Sequence, residues 1–136
     1  YEKSNFKYEN HERKRLNSGE TNSLLKSKQY DDESEVWEMF VANLTYRKPL
    51  AEVEKYLEKH LEFLENHYQT GHFICSGRKN PRTGGVILIR ARNEAELKQI
   101  IAEDPFYANQ IADYELIEFY PTKYAADFEP FTQALK

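Results

Sequence analysis

The stretch VILIRARNEAELKQIIAEDPF, Val86–Phe106, decides how the chain folds. Val86-Ile87-Leu88-Ile89 is β-branched or apolar at every position, which predicts a strand covered on both faces. Asn93, with Glu96 three residues later, has the spacing of a helix-starting capping box. Leu97, Ile100 and Ile101 then recur at helical intervals and give that helix an apolar face. Asp104 stands before Pro105, and a residue before proline avoids the α region, so the helix must stop there. Asp at an N-cap with Pro at N1 also starts a new, short helix. One strand, one helix and a sharp restart are thus contained in 21 residues.

Working outward, GRKNPRTGG (Gly77–Gly85) is a polar, turn-rich loop that joins this strand to HFICS (His72–Ser76), a second strand. Upstream lies PLAEVEKYLEKHLEFLENHYQTG, where Pro49 opens a helix and Gly71 closes it. Leu50, Val53, Leu57, Leu61, Leu64 and Tyr68 form one stripe along it, which predicts a single continuous helix with these residues inward. FVANLTY (Phe40–Tyr46) and ELIEFYP (Glu115–Pro121) supply the first and last strands. The order βαββαβ predicts an α+β, ferredoxin-like sandwich with both helices on one face of an antiparallel sheet. The opposite sheet face is left bare, although Val86–Ile89 is apolar on both sides. A homodimer through the sheet face, about a two-fold axis, is the expected cover, with Phe128 and Phe131 of the tail helping to seal it. The competing cover is the N-terminal arm.

That arm, residues 1–38, has seven Lys or Arg, nine Asp or Glu and few aliphatics. It cannot bury enough surface to offset its ordering entropy, so it is expected to be disordered or loosely docked. Patterned sequence begins at Met39, the sole methionine. The domain is therefore placed at 39–136, with a tail from about 121. The arm is either upstream or vector-derived sequence or a native extension. Its HERKR run (His11–Arg15) sits among acidic neighbours and reads as a solvated charge run. A net charge of −4 argues against nucleic acid and gives no polybasic attraction to a membrane. No apolar run nears the roughly 18 residues of a membrane span. A single cysteine excludes an intrachain disulfide and a Cys-based zinc site, which suits a cytoplasmic setting.

Two side chains stand out for chemistry. His60 falls on the edge of the helical stripe, near Val53 in projection, with Tyr56, Phe63 and His67 on its flank. It is expected to be partly buried, where an imidazole can serve as acid or base near neutral pH. A border histidine bonded to a carbonyl is the alternative. Asp104 has its capping role, and a carboxylate held by backbone geometry can also orient a histidine and stabilise its imidazolium. Arg78 and Arg82, with Lys79, lie beside Gly84-Gly85 and can receive an anionic substrate or simply edge a solvated hairpin. Cys75 is expected to pack within its strand. His60 and His67 are two helical turns apart, about 10 Å along the axis, too far to chelate one ion unaided, so no metal is expected. There is no Gly-rich dinucleotide or phosphate fingerprint and no G-x-S-x-G elbow, so no cofactor is expected either.

HLEFLENHYQTGHFICSG, GGVILIRARNEAELKQIIAEDPF and the later ELIEFY together resemble the YciI-like (YCII-related) family. The shared elements are His60-Leu61, Gly71, Ser76-Gly77 and Asp104-Pro105-Phe106, over about Met39 to Tyr120. The resemblance implies a dimeric α+β barrel of ferredoxin-like subunits, with an active site around His60 and Asp104. It adds Ser76 as a residue for binding substrate. One relative is a dehydrochlorinase of a chlorinated hydroxyhydroquinone, and the wider superfamily includes muconolactone isomerase. The expectation is therefore a small cofactor-independent enzyme, of lyase, isomerase or dehydrochlorinase type, moving protons on a small oxygenated substrate. A non-catalytic ligand-binding or regulatory dimer is the alternative, and a cofactor-free monooxygenase a lesser one.

Overall fold

The computed structural model describes residues 36–136; the expectations for the arm fall on residues outside this range, except at its last three positions. Four strands, β1 (Glu38–Tyr46), β2 (Phe73–Arg78), β3 (Gly84–Ala91) and β4 (Ala112–Phe119), form one antiparallel sheet in the order β2-β3-β1-β4. Four helices, α1 (Leu50–Lys55), α2 (Leu57–Gln69), α3 (Glu94–Ile101) and α4 (Pro105–Ala108), lie between them in the chain. This is the ferredoxin-like α+β arrangement that the order of elements predicts.

The chain divides into two compact units. The larger, Phe40–Ile117, holds the helices and most of the sheet. Its core is built from one side of each strand, with Ala42 and Leu44 of β1 and Ile87 and Ile89 of β3 buried beneath Val53, Phe63, Leu97 and Phe106. In the smaller unit, Trp37 bridges Leu135 in parallel and Lys136 reaches Glu38 at 3.3 Å. The tail forms a 3₁₀ helix over Ala126–Thr132, in which Phe128 and Phe131 touch one another. No described helix is long and apolar enough to cross a membrane.

Three expectations need correcting. The helix from Pro49 is two helices, broken at Tyr56, whose φ of −109° and ψ of 4° leave the helical basin. The break resets the angular phase, so α2 buries His60, Phe63 and His67, not a continuous leucine stripe. Leu50 and Leu61 are left 44% and 52% exposed. Cys75 is not packed. An irregularity between Phe73 and Cys75 puts Cys75 opposite Leu88, away from the helices, and its thiol is free and exposed. The last strand starts at Ala112, three residues before the expected Glu115, and that difference matters for the site.

Two glycines are required by backbone geometry. Gly71, at φ +87°, ends α2 in a Schellman motif, with His72 N–H donating to His67 O and Gly71 N–H to Tyr68 O. Gly84 lets β3 pass close to β1, because a Cβ there would lie 1.8 Å from Leu44 O.

Candidate active site

Asp104 is the N-cap of α4, as Asp-Pro predicts: its Oδ1 accepts from Phe106 N–H at 2.9 Å. The same oxygen lies 2.9 Å from His60 Nδ1, and the carboxyl group is fully buried. Its other oxygen, Oδ2, accepts from the Tyr114 hydroxyl, which β4 brings alongside. Three donors therefore converge on one buried carboxyl group. A carboxylate only accepts, so opposite an ionised Asp104 the proton sits on Nδ1 of His60 and Nε2 carries the lone pair. The imidazole is stacked as well as bonded: it lies on Phe106 with centroids 4.0 Å apart and planes 5° from parallel. Tyr46 meets Phe106 edge-on at 6.0 Å. Proline after Asp104 thus does two things at once. It sets the cap, and it swings Phe106 under the histidine.

His60 forms part of the wall of a cavity of about 410 Å³ between α2 and the β2–β3 hairpin. Ser76, Arg78 and Arg82 line the same cavity, together with leucines of α2 and Phe106. Asp104 lies behind His60 and does not reach this wall. Four of the five residues singled out from the sequence thus border one hollow, and the fifth bonds to its histidine. Ser76 is engaged by Tyr68, its Oγ 2.6 Å from the phenolic oxygen. Arg82 donates to Glu54 at 3.0 Å, and the bonds to Glu54 and to Tyr46 hold its pKa above the ordinary guanidinium value. Lys79 turns to Thr45 Oγ1 at 3.3 Å and is not part of the wall.

The other described histidines, His67 and His72, have partners of their own. His67 Nε2 is 2.7 Å from Glu103, while His72 contacts Thr70 Oγ1 at 2.7 Å and Glu96 at 3.3 Å. Among the described residues no group of three acidic, His or Cys side chains has the geometry to hold a metal ion. Tyr114, Tyr68 and Phe106 are the site residues that reading the sequence did not single out for roles. Phe106 was within the Asp-Pro-Phe element. Tyr114 was hidden because its strand begins earlier than its apolar pattern suggests.

The family profile of the YCII-related domain matches residues 39–120. The chain belongs to the YCII-related family. Searches of curated proteins and of solved structures returned no match. The matched span of this YCII-related chain runs from just inside β1 to just past β4, and so includes His60, Ser76, Arg78, Arg82, Asp104 and Tyr114.

Proposed function

We propose that this YCII-related protein is a small enzyme that transfers protons on a small oxygenated, ring-type substrate and needs no cofactor to do so. The observation that carries the reading is the 2.9 Å contact of His60 Nδ1 with the buried Asp104, made by a ring that borders an open cavity. With Nδ1 committed to Asp104, Nε2 is the atom that exchanges protons with substrate. It takes a proton from a carbon or oxygen acid of the bound molecule, and the imidazolium so formed is stabilised by the carboxylate behind it. In an isomerisation the same proton returns at a second position. In an elimination the C–H pair becomes a C=C bond, the leaving group departs with its own bonding pair, and the proton passes to water. Both need only groups placed in the right geometry.

The reading includes a homodimer joined through the outer sheet face. Val86 and Ile117 support it, being 39% and 45% exposed on strands of a sheet whose other side is the core. The exposed thiol of Cys75 suits a reducing compartment such as the cytoplasm.

The test is solvent-deuterium incorporation, followed by proton NMR, into a panel of small hydroxylated ring acids and lactones. Wild-type protein should exchange at least one of them, and His60→Ala should lower the rate by roughly 10²- to 10⁴-fold. The fold of the variant is checked by its NMR dispersion. Binding without exchange makes the chain a ligand-binding dimer instead, and oxygen uptake makes it a monooxygenase.

A further inference from the structure

The two arginines of the cavity are not equivalent. Arg82 already has a counter-ion, the Glu54 carboxylate at 3.0 Å. The Arg78 side chain has no ion-pair or hydrogen-bond partner among the described residues. Its position follows from the register of β2. Ser76 pairs with buried Ile87 and so points to the helix side, and Arg78, two residues on, shares that side. Among the described residues no Asp or Glu lines the cavity. A cation is therefore presented to a hollow to which the described residues contribute no anion.

Much of the wall facing these groups is apolar. Leu57, Leu61, Leu64 and Phe106 contribute from the helices and Ile87 from β3. Leu61, a large hydrophobic side chain left 52% exposed, borders this cavity. An exposed leucine on an otherwise apolar stretch of a concave site suggests a ligand with a hydrophobic body. The volume of about 410 Å³ suits a molecule of one ring with substituents.

We infer that the cavity takes a small carboxylate with an apolar body, held at its charged end by Arg78 and at its ring by Leu61, Leu64 and Phe106. A guanidinium fork matches a carboxylate with two parallel hydrogen bonds. A phosphate dianion calls for more positive charge than one unpaired arginine supplies. Arg82 has a different job: it ties the β2–β3 hairpin to α1 through Glu54, which fixes the wall from which Arg78 projects. The carboxylate assignment rests on the proposed proton-transfer site only in that both place the ligand in the same cavity.

The experiment is an NMR titration of the full chain with matched pairs of charged and neutral probes: para-hydroxybenzoate against para-hydroxybenzamide, and cyclohexanecarboxylate against its amide. Wild-type protein should bind at least one carboxylate about tenfold or more tightly than its amide. Arg78→Gln should erase that preference, and Lys79→Gln, which removes a neighbouring cation outside the wall, should keep it. The inference is overturned if amides bind as well as acids, if neither carboxylate binds, if the preference survives Arg78→Gln, or if it is lost in Lys79→Gln. Deuterium exchange on the same samples keeps the two ideas apart. Carboxylate preference without exchange defeats the acid/base reading alone, and exchange without that preference defeats this one alone.

Discussion

Asp104 Oδ1 serves the Phe106 amide and the His60 ring together, while Tyr114 occupies Oδ2. Removing the carboxylate would leave three donors in a place with no solvent, so Asp104→Ala should destabilise the protein by about 3–5 kcal/mol. Urea unfolding measures it. Asp104→Asn keeps the size of the side chain and one acceptor oxygen. It should cost less stability while removing most of the exchange activity, because an amide no longer stabilises the imidazolium. Tyr114→Phe deletes one charge-assisted bond and should cost about 1.5–3 kcal/mol in the same unfolding assay. A value near zero would mean that Tyr114 does not hold Asp104 in solution.

At the scale of the elements, the sharpest requirements lie at two glycines. Gly71→Ala should destabilise by roughly 1–2 kcal/mol, a conformational effect, since the nearest atom to the new Cβ is 3.7 Å away. Gly84→Ala should cost at least about 3 kcal/mol, because its Cβ meets the β1 backbone and neither strand can yield alone. Thermal unfolding of both variants ranks them. The same elements show why part of the site was legible beforehand and part was not. Proline chemistry places Asp104, and helical spacing places His60, so local rules reach both. The break at Tyr56 has no Pro or Gly to announce it, and it changes which face of α2 is buried. Tyr114 follows Asp113 in a polar start to β4, where apolar periodicity is silent, so only the folded sheet brings it to Asp104. Cys75 moved to the outer face for a comparable reason, a one-residue irregularity that no composition rule detects.

For the whole molecule, the sheet has one face against the helices and another that shows Val86 and Ile117. The proposed dimer should sediment at twice the chain mass of 16.2 kDa. Charge placed on that face, as in Val86→Glu with Ile117→Lys, should shift it to monomer while each chain stays folded. A wild-type protein that sediments as a monomer at high concentration would contradict the proposed assembly. His60 and Asp104 sit on the helix side, in one chain, so the His–Asp contact itself does not depend on pairing.

The most direct test of the central claim is a long-range ¹H–¹⁵N correlation spectrum of the histidine rings, recorded on the alkaline side of their titration. A proton on Nδ1 of His60, protected from exchange and altered in Asp104→Asn, with Nε2 unprotonated, is the predicted result. A proton on Nε2, unaffected by Asp104→Asn, would turn the lone pair away from the cavity and contradict it.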